Sequence, residues 1–216
     1  SKVAAEFPDT KFSIIDVSWL DAPNLRQYAF KEHEGSYIVG IAAAKASKTG
    51  KVGFVGGMDI GLIRRFACGY VGGVKSVNAS AEVYQNMTGT TPAAWNDPAK
   101  GAELTQSQID RGADVVYHAA GGTGAGVIQA AADAGKLAIG VDSNQNGMAP
   151  GSVLTSMLKR VDVAAYETFM DVKNGNFSAG VHVLGLAEGG VDWALDENNA
   201  SLVTADMKAA IESARA

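Results

Sequence analysis

Short apolar runs alternate along this chain with longer segments whose apolar residues recur every three to four positions, the marks of buried strands and amphipathic helices. KFSIID (11–16) opens the series as a strand, and KEHEGSYIVGIAAAKAS (31–47) follows as a helix with an alanine-rich packing face. The strand KVGFVGG (51–57) leads into the helix IGLIRRFACGYVGGVKSV (60–77). AEVYQNM (81–87) is a third strand, and DPAKGAELTQSQIDRG (97–112) a helix whose Pro98 suits the first turn, where the missing N–H has no partner to lose. ADVVYHAA (113–120) is a fourth strand; a glycine-rich turn and another helix follow, and LAIGVDS (137–143) is a fifth strand. Past residue 150 the rhythm changes. GSVLTSMLKRV (151–161) reads as extended, DVAAYETFMDVKNG (162–175) as helical, and AGVHVLGLAEGGVDWAL (179–195) as mostly extended with a Gly-Gly turn. TADMKAAIESARA (204–216) is a helix capped by Thr204.

Strands alternating with helices predict parallel sheets joined by right-handed crossovers, with helices on both faces. In such sheets the ligand sits beyond the carboxyl ends of the strands. Those ends fall at Gly56–Asp59, around Trp95, at Ala119–Gly124 and at Asp142-Ser143.

Composition narrows the classes. A chain of 216 residues can bury a substantial core, and its 47% hydrophobic and 19% charged residues are ordinary for a globular protein. A net charge of −5 with only short basic clusters, such as Arg64-Arg65 and Lys159-Arg160, argues against nucleic acid as a partner. The single cysteine, Cys68, excludes an intramolecular disulfide and a cysteine-based zinc site, and its place on an apolar helix face predicts core packing. The histidines (His33, His118 and His182) lack metal-ligand spacing, and neither a nucleophile elbow nor a catalytic constellation is present. No metal and no cofactor are expected, and no enzyme activity.

Four positions carry candidate chemistry. The loop GGTGAG (121–126) is neither a dinucleotide fingerprint nor a P-loop, since Val127 stands where the last glycine is needed and no Gly-Lys-Ser/Thr follows. Gly121 and Gly122 let the backbone approach an uncharged ligand, or simply permit a tight turn and close helix packing. Asp142, at a strand end, suits either the vicinal hydroxyls of a sugar or a local Asx-turn. Trp95, just before a helix start, offers a stacking platform or a hydrophobic staple. Lys159, in an otherwise apolar stretch, is a donor to a ligand hydroxyl or a solvated charge.

Several motifs in succession carry a resemblance: FPDTKFSIID, FKEHEGSYIVG, SKTGKVGFVGGMDIGLIRRFACGY, NDPAKG, GADVVYHAAGGTGAGV, AIGVDSNQ and VLTSMLKRVDVA. Together they resemble the basic membrane protein (BMP) family of lipoproteins, nucleoside-binding components of ABC importers that include a purine nucleoside receptor of spirochaetes. The resemblance implies a type I periplasmic-binding-protein fold: two doubly wound α/β lobes with a hinge, closing on a ligand. It assigns residues 1–33 to the N-terminal lobe, 34–150 to a second α/β lobe, and 151–216 to crossing segments and C-terminal elements shared between lobes. Family members begin with further α/β units that bring a second stacking aromatic, an Asn and an Asp to the pocket. This sequence starts just downstream of them, so part of the first lobe is expected to be missing and affinity for free nucleoside to be poor.

Mapped residue by residue, the family pattern gives Trp95 the base-stacking role, where Phe is more usual, and places Gly121, with Gly122 beside it, against the base. It gives Asp142 the ribose hydroxyls, with Lys159 assisting. The implied function is capture of nucleosides, purine nucleosides foremost, for an ABC permease. The implied location is the bacterial cell envelope, periplasmic or lipid-anchored at the outer face of the cytoplasmic membrane, with any anchor outside this chain. The alternatives are a sugar or another small cyclic ligand, an enzyme pairing Asp142 with His118, and the effector domain of a transcription regulator. Against the last stand the acidic balance and the lack of a helix-turn-helix segment.

Overall fold

The computed structural model describes residues 2–215. The chain begins with α1 (Lys2–Glu6), β1 (Phe12–Ile15), β2 (Leu25–Phe30), α2 (Glu32–Ala46), β3 (Lys51–Met58) and α3 (Gly61–Val77). It continues with β4 (Glu82–Gly89), α4 (Pro98–Asp110), β5 (Val115–Ala119), α5 (Gly124–Asp133) and β6 (Leu137–Asp142). The remaining elements are β7 (Val153–Lys159), α6 (Val161–Asn174), β8 (Gly180–Leu184), β9 (Val191–Trp193) and α7 (Ala205–Arg215). The expected C-terminal helix is present with its Thr204 cap, whose Oγ1 accepts from Met207 N at 3.1 Å, while Ala216 lies outside the described residues.

The residues form two compact units: one runs up to Lys31 and takes in Lys159–Asp192, the other comprises Glu32–Leu158 and the residues from Trp193 onward. In the larger unit the strands order as β4-β3-β5-β6-β7, and these pairings are all parallel. Register explains the two helix layers. Phe54 pairs with Tyr117 on one face, where both rings meet Tyr70 of α3 and the Tyr117 hydroxyl lies 3.2 Å from Ser36 Oγ of α2. The alternate residues Val55 and Val116 join Val127 of α5 and Leu104 of α4 on the other face. Helices on both sides of a parallel sheet, as the sequence pattern predicts, follow from this strand periodicity.

α2 and α3 approach at glycines. A side chain on Gly40 would strike the Tyr70 carbonyl, one on Gly69 the His33 carbonyl, and one on Gly73 the Tyr37 carbonyl. That geometry corrects the expectation for Cys68. The helix turns Ile63, Phe66, Ala67, Tyr70 and Val74 inward, and Cys68 falls outside that stripe and is exposed.

The smaller unit holds a parallel three-stranded sheet, β1-β2-β8. Its centre, β2, breaks the apolar pattern with Arg26 and Gln27, yet both side chains are buried. Arg26, 1% exposed, donates to Asp171 Oδ2 at 2.7 Å and Ser178 O at 2.9 Å, and lies over the Phe177 ring. Gln27 exchanges two hydrogen bonds with the Leu20 backbone, both at 2.8 Å. Satisfied polar groups thus occupy strand positions that an apolar pattern leaves unread.

Candidate functional site

The Trp95 platform is built from residues small enough to let an indole lie on backbone. After β4, Pro92–Trp95 form a short 3-10 turn, so Trp95 arrives beside the carboxyl end of β3. There its six-membered ring rests on Gly57, where any Cβ would overlap ring carbons. Gly121, in the left-handed region at φ 57°, also lies close, and a Cβ there would come within 3.3 Å of the Trp95 carbonyl and 3.6 Å of the ring. Thr123 ties the pieces together: its hydroxyl donates to Ala94 O at 2.8 Å and accepts from Asp97 N at 2.8 Å. Asp97 in turn caps α4 by accepting from Lys100 N at 2.9 Å, with Pro98 in the first turn. Trp95 is half-buried, while Gly121 and Gly122 are exposed beside it. The ring is therefore fixed without being sealed in the core.

Asp142 ends β6, the strand next to β5. Its φ is 65°, and Ser143 N donates to Val141 O at 2.8 Å across it, closing a γ-turn of the positive-φ kind. That turn is the rarer and more strained of the two γ forms. Strain of this sort, on an exposed non-glycine residue at a strand tip, is concentrated at functional sites. Beneath the turn lies a connected polar layer. Gln145 Oε1 accepts from Val141 N at 2.9 Å and lies 2.9 Å from His118 Nε2. Ser156 Oγ accepts from Gln145 N and donates to Asn146 Oδ1, while Asn144 and Asn146 both donate to Asp196. The Asn144 amide, first among these contacts, holds the Asp196 carboxyl below the usual carboxylate range.

His118 is fully buried, and burial pushes its pKa down to about 4 against a partial upward pull from Gln145. The folded protein therefore keeps it neutral, whereas the unfolded chain takes up a proton near the ordinary value of about 6.5. Its contribution is complete above that value and is lost as pH falls toward the folded pKa, at about 1.4 kcal/mol per pH unit. Urea midpoints between pH 7 and 4.5 are expected to fall more steeply for the wild type than for His118→Phe. Parallel slopes would contradict the assignment.

The smaller unit places Lys159 differently from a solvated charge. The residue is 8% exposed; its Nζ donates to Asp16 Oδ1 at 2.5 Å and lies 5.2 Å from the Phe30 ring centroid. Asp16, just past β1, has φ 62°; Asp16 and Asp142 are the non-glycine residues of positive φ among those described. Asp16 escaped the sequence reading because a single Asp after an apolar run does not disclose its backbone conformation. Gly57, Thr123 and Gln145 were also missed: each acts on a neighbour rather than presenting chemistry of its own. The structure brings Trp95, Gly121 and Gly122 into one cluster, sets Asp142 at the tip of the adjoining strand, and places Lys159 in an ion pair of the smaller unit.

Among the described residues no helix is long and apolar enough to cross a membrane, and no group of three or more side chains has a metal-ligand arrangement. Parallel α/β units with exposed, glycine-bearing strand tips are the architecture of solute-binding proteins with the type I periplasmic-binding fold. An ABC transporter solute-binding protein from Aeropyrum pernix K1 superposes with a TM-score of 0.86 at 29% identity, over 99% of this chain and 70% of that one. A structure from Bacillus halodurans, described as a transcriptional activator of the comK gene, gives 0.87 at 25% identity, over 100% of this chain and 72% of that one. The chain belongs to the Bmp family of PnrA-like ABC transporter substrate-binding proteins, which it matches over residues 1–215. The nucleoside-binding protein BmpA of Lactococcus lactis subsp. cremoris is 36% identical across 97% of this chain. The chain spans 64% of that relative's length.

Proposed function

We propose that this chain captures nucleosides, purine nucleosides foremost, as part of the substrate-binding component of an ABC importer in the bacterial cell envelope. The observation that carries the reading is the indole of Trp95, lodged on Gly57 and flanked by Gly121, beside a strand tip where Asp142 is held in a strained turn. A fixed aromatic plane accepts a heterocyclic base by stacking, worth about 1–3 kcal/mol. Gly121 and Gly122 keep side chains away from the base edge. The Asp142 carboxylate accepts hydrogen bonds from the ribose diol, and charge-assisted bonds of this kind contribute about 1.5–3 kcal/mol. The family's transport role, the nucleoside-binding relative and this pairing of a ring platform with a diol acceptor all support the same reading. The permease is the proposed protein partner, and no chemistry on the ligand is proposed.

Calorimetry with inosine, hypoxanthine and ribose tests this. Inosine is expected to bind tightest, hypoxanthine more weakly and ribose weakest, with inosine recovered intact afterwards. Tighter binding of a free sugar would favour a sugar receptor, and release of hypoxanthine would mark an enzyme.

A further inference from the structure

We infer that His118 and Gln145 are positioning residues that lock the glycine loop and the Asp142 turn to each other. The inference about ligand contact rests on the nucleoside reading; the part about geometry does not. Gln145 Oε1 takes the Val141 N–H at 2.9 Å, which fixes the side-chain amide with its oxygen toward the turn. The same oxygen lies 2.9 Å from His118 Nε2, so that nitrogen must carry the proton and donate. One oxygen therefore gathers two donors, one from the residue immediately before Asp142 and one from a ring on β5.

The far side of that ring completes the link. A Cβ on Gly124 would overlap the imidazole, so the first turn of α5, directly after Gly121 and Gly122, rests on His118. His118 Nδ1 has no hydrogen-bond partner among the described residues, which leaves the Nε2–H···Gln145 bond as the ring's polar anchor. The turn that follows is closed by Ser143 N donating to Val141 O at 2.8 Å, so both polar groups of Val141 are held. Gln145 fixes the Gly140–Val141 peptide, one peptide before the Asp142 φ, and so anchors the strand end from which the turn departs. The two binding loops are then set at one spacing by a ring and an amide that touch no ligand.

The test is amide hydrogen exchange and inosine titration, both read by NMR on the 216-residue chain. Gln145→Met removes the acceptor at similar size. It is expected to speed Val141 exchange at least tenfold, move the Asp142 Cα shift away from its left-handed value, and weaken inosine about tenfold while leaving hypoxanthine within about threefold. Gln145→Glu, which keeps an acceptor, is expected to restore both exchange protection and inosine affinity. Should Gln145→Met fail to fold, His118→Phe keeps a ring against Gly124 and removes only the donor, with the same signs at smaller size. Unchanged Val141 exchange overturns the inference, as does faster exchange with undiminished preference for inosine over hypoxanthine. If the wild type shows no response even to saturating inosine, at which the poor affinity expected of this chain would still register, the functional reading falls, and Val141 exchange with the Asp142 shift decides the positioning claim alone.

Discussion

Replacing Asp142 with glycine is expected to lower inosine affinity about a hundredfold while leaving the fold as stable as before or up to about 1 kcal/mol more stable. The two effects have separate causes. Glycine enters the left-handed region freely, so the φ of 65° ceases to be a strained conformation. On the proposed reading, the lost carboxylate removes the acceptor for the ribose hydroxyls, at up to about 3 kcal/mol. Hypoxanthine, which has no ribose, is expected to bind within about threefold of the wild type. Calorimetry and urea unfolding on the same preparations check both halves. A variant that is destabilised and still binds inosine would make Asp142 a structural turn residue and end its proposed role. Asp142→Ala is expected to show the same loss of inosine without the relief of strain.

The second large effect concerns the scaffold. Gly73→Leu is expected to destabilise the larger unit by about 3 kcal/mol or more, at the top of the overpacking range, because the new side chain points at the Tyr37 carbonyl of α2. The neighbouring Gly72 supplies the control. A Cβ there meets only the Tyr37 ring, at 3.3 Å, and alanine also favours the helix, so Gly72→Ala is expected to be neutral or slightly stabilising. Thermal unfolding of the two variants distinguishes close backbone approach from a general intolerance of α3 to substitution. Equal behaviour would mean that α2 and α3 part easily.

Much of the larger unit is legible in sequence because its strands are buried on both faces and its helices are not. KVGFVGG, ADVVYHAA and LAIGVDS stand out as largely apolar runs, and each becomes a strand of the parallel sheet. Asp97-Pro98 marks its helix start for a local reason, a cap followed by a residue without an N–H. β2 is hidden because Arg26 is buried by virtue of partners distant in sequence, Asp171 and Ser178, and Gln27 by the Leu20 backbone. Cys68 misleads for a related reason: a helix rich in glycine presents apolar residues outside its packing stripe, and the α2 contact tells the faces apart.

The same division holds at the candidate site. Trp95 and the glycine loop are visible as residue types at strand ends, yet what fixes the indole is Gly57, forty residues of chain earlier by rough count, and the Thr123 hydroxyl. The left-handed backbone of Asp16 and Asp142 has no sequence signature, since aspartate occupies ordinary conformations almost everywhere. Chemistry at the tips is thus readable from single residues, while the geometry that makes it usable comes from neighbours supplied by the fold.

The most direct measurement is a titration of the isotope-labelled chain with inosine, followed through every backbone amide and the indole N–H groups. Shifts concentrated at the Trp95 indole, Gly121, Gly122 and Asp142, and reproduced only in part by hypoxanthine or ribose alone, are the predicted result. Saturating inosine that leaves the Trp95 indole and Asp142 unmoved, or a full response to ribose by itself, would contradict the account.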